Sequence, residues 1–568
     1  MLTEVKQKIA KACEGYWECS SEEISPLFET PKELSHGHLS LPVFRLAKIK
    51  RKSPLLIAKE LTEILLSEGL EELDNIEAVN GFVNFHIKTS YVMKLLFSSV
   101  EKQGDQLGCN KRFAGKKVII DYSSPNVAKP MHIGHLRATV IGQAIRNLAE
   151  TQGYEVIGVN HLGDWGSQFG KLCFAYEKWG SEFDFENDAF NSLYNLYVKF
   201  HDEAEKDPEL EAQGAAYFKK LEDGDADMLN LWKKFIEISM ADFEANWARL
   251  GVKHDLVRGE SFYNDRMDPV IDELEKKGLL VEDQGAMVVM MDDEKDPPCL
   301  IRKTDGATLY ATRDLATADY RMEELKCDLN LYVVGQDQTL HFKQVFKVLE
   351  KLGRPWVKDC HHISFGLVRF KDLGKISSRK GNIIRFSDVL DKSIELVLDV
   401  VKKKNPDLDN IEEVAEKVAV GAITFSDLVN DRVKNTEFDW DRALSFDGDS
   451  GPYVQYVYVR CASLLRKYDK DVSMEVGGLL ESDDEKALMR ILMEYPDVLK
   501  NSFDLFKPNL LANYLLEVCA AYNRFYHNHK ILAGEEELIG SRMALVKSVK
   551  EVIRQGLGHL NIQVPEYM

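Results

Sequence analysis

The chain has 568 residues, is 45% hydrophobic and carries a formal net charge of −20, so it is too long for one core and reads as several soluble domains. The acidity excludes a general nucleic-acid coat, because non-specific binding draws on cations that neutralise phosphates, but it leaves room for a local RNA surface. No stretch approaches the ~18 uninterrupted apolar residues of a membrane span, the start MLTEVKQKIAKACEGYW lacks an apolar leader core, and the nine cysteines stand singly; reduced thiols, no bound metal and a cytoplasmic location are expected.

Residues 1–112 read as an α+β domain, with helical segments such as IAKELTEILLS beside β-like runs such as EAVNGFVNFHI. Within it, HGHLSLP at 36–42 has no preceding strand and no following long helix, and reads as a surface loop, while RLAKIKRK at 45–52 is a basic exception in an acidic chain. From Lys116 the pattern changes to KVIID, a turn containing Pro and Asn, LRATVIGQAIRNLAETQG and YEVIGVN, the alternation of βαβ units in a parallel, doubly wound sheet. That α/β domain is bounded at 113–400, with a helical insertion over about 180–258 after which strand-like runs resume in AMVVMM, ATLYAT, LNLYVVG and HHISFGLVRF. A helical connector (401–450) and a helical bundle (451–568) complete the chain.

Two stretches carry chemistry. At the first strand-to-helix turn stand His132, Gly134 and His135. Helix N-termini beyond the carboxyl ends of such strands point N–H groups and a positive dipole end outward, which suits phosphate. The imidazoles there are donors, and the glycine lets adenine or ribose approach the backbone. Neither a Walker loop nor a dinucleotide fingerprint is present. Much later, KISSRKG at 375–381 is a loop dense in basic and small hydroxyl residues, suited to a polyanion whose charge grows during reaction.

An HIGH turn early and a Lys-x-Ser loop late in one interrupted nucleotide-binding fold resemble the signature motifs of the class I aminoacyl-tRNA synthetases. Together with NHLGDWGSQFGKL, TLYATRDLATADYR, VVGQDQTLHFKQVF, FDWDRALSFDGDSGPYVQYVYVR and VPEYM, the chain resembles the arginyl-tRNA synthetase family over essentially its full length. The resemblance implies a Rossmann-type catalytic domain, an N-terminal tRNA-contacting domain and a C-terminal anticodon-binding bundle. Arginine and ATP, brought as its Mg²⁺ complex, would give arginyl-adenylate, and arginine would pass to the terminal adenosine of tRNA-Arg. It assigns His132, Gly134 and His135 to ATP, with Lys375, Ser377, Ser378 and Arg379 closing over the β and γ phosphates. It assigns Asp121 and Asp314 to the guanidinium, which needs carboxylates in a fixed fork geometry, with Tyr310 one helical turn before Asp314, Asn126 at the amino or carboxylate end, and Gln338 beside them. His161, Gly163, Asp164 and Trp165 read as a second strand-end loop on the same cleft.

Lys50, Arg51 and Lys52 become candidate contacts to the tRNA elbow, and Tyr522, Asn523 and Arg524, followed by Tyr526 and His527, candidate contacts to anticodon bases, which are read by stacking and edge hydrogen bonds. The loop departs from the common Lys-Met-Ser-Lys-Ser in lacking the second lysine. Lys129, three residues before His132, is the catalytic candidate to replace it, with Arg379 and Lys380 as competitors. The family also implies that adenylate forms only with tRNA bound, and a monomer is expected. A pantothenate-synthetase-like adenylyltransferase, a synthetase of other specificity and a non-catalytic RNA-binding relative remain as alternatives.

Overall fold

A computed structural model describes every residue except 32, 294–295, 305, 307, 371–384, 405–407, 409 and 478–479. The N-terminal unit runs α1 (Thr3–Trp17), α2 (Ser21–Ile24), β1 (Leu39–Pro42), α3 (Phe44–Lys50), α4 (Pro54–Ser67), β2 (Leu73–Val79), β3 (Phe82–Ile87) and α5 (Thr89–Gln103). Its three strands form an antiparallel sheet in the order β1-β3-β2. The stretch at 36–42, expected to be a surface loop, instead supplies β1: Leu39 and Leu41 are fully buried on one face, and strand pairing with β3 satisfies the backbone between them.

The catalytic unit continues with β4 (Lys117–Asp121), α6 (Ile133–Thr151), β5 (Glu155–Asn160), α7 (Ser167–Trp179), α8 (Ala189–Lys206), α9 (Glu209–Glu222), α10 (Ala226–Arg249), β6 (Leu256–Val257), α11 (Met267–Lys276), β7 (Leu280–Asp283), β8 (Ala286–Val289), β9 (Cys299–Arg302), α12 (Tyr310–Asp319), β10 (Leu329–Tyr332), α13 (Thr339–Lys351), β11 (Cys360–His362) and β12 (Val368–Phe370). A five-stranded sheet has the order β11-β10-β4-β5-β6, and each pairing is parallel. Both its faces are covered: Val118 and Ile120 enter the main core with α6, whereas Ile119 and Val159 pack with Met322, Cys327 and Cys360 on the other side. The chain adds β5 and β6 on one side of β4 and then β10 and β11 on the other. Strand order therefore reverses between β4 and β10, which is where a doubly wound sheet opens a ligand crevice.

Two strand expectations change. AMVVMM becomes β8 of a separate antiparallel sheet, β7-β8-β9, and ATLYAT gives way at Tyr310 to α12. Helical burial of Ala311, Leu315 and Ala318 outweighs the strand-like composition of that short run.

The remainder is α14 (Phe386–Lys404), α15 (Ile411–Leu428), β13 (Thr436–Phe438), α16 (Trp440–Ala443), α17 (Gly451–Tyr468), α18 (Asp483–Met493), α19 (Tyr495–Asp504), α20 (Pro508–Asn528) and α21 (Glu536–His559). β13 pairs in parallel with β12, apart from the main sheet. Among the described residues no helix is long and apolar enough to cross a membrane.

Candidate active site

The turn from β4 into α6 is built under strain. Ser123, Ser124 and Ala128 all have positive φ (78°, 42° and 64°), a conformation costly for residues with a Cβ. The insertion holds it: Trp247 Nε1 donates to Ser123 Oγ at 2.9 Å, and the Ala128 amide donates to Ser239 Oγ at 3.0 Å, both partners lying on α10.

At the end of this turn His132 caps α6. The Gly134 amide donates to His132 Nδ1 (3.0 Å), and the His132 amide donates to His135 Nδ1 (3.2 Å), a capping box made of two imidazoles. Because each Nδ1 accepts, each neutral ring carries its proton on Nε2. Burial, reinforced by Lys129, lowers the His132 pKa, and burial with His132 and Lys129 holds His135 well below the ordinary histidine value. The site thus presents two neutral Nε2–H donors, with ring centroids 4.0 Å apart, at the positive end of a helix. A Cβ on Gly134 would lie 2.9 Å from His132 Cε1, so the glycine is what lets the ring fold back over its own cap.

Beside this turn stand several carboxylates. Asp121 ends β4, 5% exposed, opposite Tyr332 of β10. Its oxygens accept from Arg321 Nη2 (2.8 Å) and Ser124 Oγ (3.0 Å), so a ligand guanidinium would share the carboxylate with these two donors. Burial opposes the charged form, but Arg321, His161 and these hydrogen bonds outweigh it and hold the carboxyl below its usual value. Asp314 is on α12 as expected, with His341 Nε2 of α13 at 2.6 Å from Oδ2. Tyr310, one turn earlier, is 66% exposed at the helix start. Gln338 is exposed at the N-terminus of α13, where Nε2 contacts Asp337 (3.3 Å). Asn126 bridges to Gly163, whose amide donates to the Pro125 carbonyl, so the His161–Trp165 loop packs directly beside the first turn. Asp164 accepts from the Ser261 amide and hydroxyl rather than facing the cleft.

Glu260 was missed by motif reading. It follows β6, touches Arg313 at 3.4 Å and is coupled to Asp164, Asp314 and Tyr310. Burial pushes its carboxyl up to about 7 against the pull of Arg313. The only clue in sequence was an acid in the segment leaving a short strand, a signal too common to use. His341 and Arg321 were equally invisible, since their roles come from contacts across the fold.

Lys129 lies over the Tyr197 ring of α8 at 5.1 Å, close enough to depress both histidines. Arg385, also missed, pairs its backbone with His132 and reaches Asn191 of the same α8. Lys375, Ser377, Ser378, Arg379 and Lys380 lie outside the described residues.

The RNA-contact expectations are altered more. Lys50 pairs with Glu18 (3.2 Å) and Lys52 with Glu60 (2.7 Å), leaving Arg51 exposed between them. Tyr522 is a core residue, 0% exposed, so its ring cannot stack on a base without unfolding α20; Asn523 is tied to Arg460 and Tyr453, and Arg524 is exposed. A surface aromatic cluster of the bundle is formed by Tyr456, Arg460 and Tyr526, with the guanidinium 4.9 Å from each ring.

A switch-point crevice with a histidine-capped helix, inside a helix-interrupted parallel sheet and followed by a helical bundle, defines a class I aminoacyl-tRNA synthetase. The family model for the catalytic domain of class I tRNA synthetases (R) matches residues 97–440, that for the arginyl tRNA synthetase N-terminal domain 3–87, and that for the DALR anticodon binding domain 454–568. Similar curated proteins include arginine–tRNA ligases of Clostridium botulinum (44% identity; 99% of this chain, 100% of that one) and Clostridium perfringens (44%; 99% and 100%). Among solved structures, Thermus thermophilus arginyl-tRNA synthetase superposes with a TM-score of 0.84 at 25% identity, covering all of both chains. The chain belongs to the arginyl-tRNA synthetase family and is an aminoacyl-tRNA ligase.

Proposed function

We propose that the site activates L-arginine with ATP, releasing diphosphate, and passes the arginyl group from the adenylate to the 3′-terminal adenosine of tRNA-Arg. The observation that carries this reading is the gathering of Asp121, Asp314 and Glu260 at the switch point, next to two neutral imidazole donors on a helix N-terminus. Carboxylates suit a guanidinium, and donors fixed where charge develops suit an α-phosphate under attack. In this reading His132 and His135 donate Nε2–H to the phosphates, Gly134 admits adenosine, and Asn126 and Gln338 orient the amino and carboxylate end. Asp121 and Asp314, the latter oriented by His341, face the guanidinium with Glu260, and Tyr310 covers it. Lys375, Ser377, Ser378 and Arg379 complete the diphosphate contacts, aided by Lys129 and Arg385.

Mg²⁺ arrives with ATP as part of the substrate; among the described residues no group of three or more His, Cys, Asp or Glu side chains is placed to hold a metal. Arg51 and the Tyr456–Arg460–Tyr526 stack are the tRNA contacts we favour. The chain is read further as a cytoplasmic monomer divided near residues 112, 400 and 450.

Arginine-dependent charging of tRNA tests the reading. Canavanine is expected to be accepted, and lysine and citrulline to fail, because buried acceptors left unpaired reject analogues by orders of magnitude. Efficient charging of lysine would sink the assignment.

A further inference from the structure

The carboxylates read as the arginine pocket come from different layers: Asp121 from β4 and Asp314 from α12. A fork that recognises a planar guanidinium needs them at fixed separation. One side chain ties the two elements together. Arg321, 0% exposed, lies in a π-helical turn (Tyr320–Glu324) that continues α12, two turns beyond Asp314. Its Nη2 donates to Asp121 Oδ2 at 2.8 Å, and its guanidinium lies 5.0 Å from the centre of the Tyr332 ring. Tyr332 is the residue paired with Asp121 across the switch point. The element that presents Asp314 to the crevice thus also reaches under it and holds Asp121 against β10.

We propose that Arg321 is a positioning residue for amino-acid recognition, which fixes the rotamer of Asp121 and sets the Asp121–Asp314 spacing to which the ligand guanidinium is matched. This rests on the reading of these two residues as the arginine pocket.

A purely structural role fits the pairing poorly. Nε of Arg321 is buried without a hydrogen-bond partner, and besides Asp121 the guanidinium has only the nearby Tyr263 hydroxyl beside it. Fold stability would be better served by an apolar pair at the same place, since buried ion pairs seldom stabilise more than well-packed hydrophobic residues. The π-turn points the same way, because such turns recur at functional sites in otherwise regular helices.

The test is steady-state arginylation and arginine- and tRNA-dependent pyrophosphate exchange with the full chain. Arg321→Met is expected to raise KM for arginine on the order of 10²-fold, the scale of a 1 Å misplacement, while KM for ATP stays at the wild-type value. Arg321→Lys, which retains the charge without the planar fork, should recover part of the loss. If Arg321→Met fails to fold because Asp121 is left buried and unpaired, the double variant Asp121→Asn/Arg321→Met removes both charges. Its KM for arginine should then equal that of Asp121→Asn alone, since Arg321 acts only through Asp121. A folded Arg321→Met with wild-type KM for arginine, equal rises in both KM values, or additive losses in the double variant would each overturn the proposal. Loss of arginine dependence in the wild type would instead overturn the pocket reading itself.

Discussion

At His132 and His135 both Nδ1 atoms are already engaged by backbone amides, so protonating either ring breaks the cap that starts α6. In the proposed reaction the histidines would therefore serve as neutral donors, and the positive charge facing diphosphate would come from lysine and arginine. Lys129 is held by Tyr197 on a turn braced by α10, which makes it a fixed cation. Lys129→Ala should lower the adenylation rate by ~10²–10³, as for loss of a preorganised donor, with little change in arginine affinity. Single-turnover adenylate formation at saturating ATP and tRNA decides it: a near wild-type rate assigns the charge to Arg385 or the loop instead. Glu260 adds a pH signature. Its carboxyl titrates at about 7 in the free protein, with Arg313, Asp164, Asp314 and Tyr310 around it. A bound guanidinium favours the ionised form, so arginine affinity should be flat above that value and weaken by up to about tenfold per pH unit below it. Glu260→Gln should bind more weakly and lose the pH slope. Calorimetric titration in the two proteins would expose the idea as wrong if the wild type shows no such slope.

At the scale of elements, α6 is the member on which the site depends. It sits so close to β4 that a Cβ at Gly142 would meet Tyr122 Cβ at 2.3 Å. Tyr122 is in turn fixed by its hydroxyl on Gln143 (2.9 Å). Gly142→Ala should force the helix off the strand, costing about 1–3 kcal/mol of stability and misplacing both histidines, so the thermal midpoint and kcat/KM should fall together. An alanine variant with unchanged stability and activity would mean that α6 can shift freely. α10 plays the complementary part, since Ser239 and Trp247 stabilise the left-handed turn that no local sequence preference would select.

Across the whole molecule, the catalytic helix is held by the C-terminal region as well as by its own sheet. Arg137, buried on the far face of α6, donates to the carbonyls of Gly366 (2.8 Å) and Lys434 (3.1 Å) and pairs with Asp427 of α15 (3.1 Å). Asn147 donates to the Gly558 and His559 carbonyls at the end of α21. Asn147 thus joins α6 directly to the helical bundle that is proposed to bind RNA. Site completion by a second substrate is induced fit, and the expected outcome is that arginine-dependent pyrophosphate exchange needs tRNA. Robust exchange with arginine and ATP alone, in RNA-free protein, would contradict it.

The amino-acid sequence by itself determined the class of fold, the order of the units, and the helix N-terminus with its two histidines, because each depends on local periodicity or on contiguous motifs. Tertiary structure alone decided that Leu39–Pro42 is a buried edge strand, that Tyr522 belongs to the bundle core, and that Lys50 and Lys52 are paired with Glu18 and Glu60. It likewise decided that Asp121 is shared with Arg321, and that Glu260 and His341 join the pocket. The physical reason is common to all of these: burial and charge pairing are set by neighbours brought together across the fold, and a residue's type and local pattern carry no record of which neighbours those are.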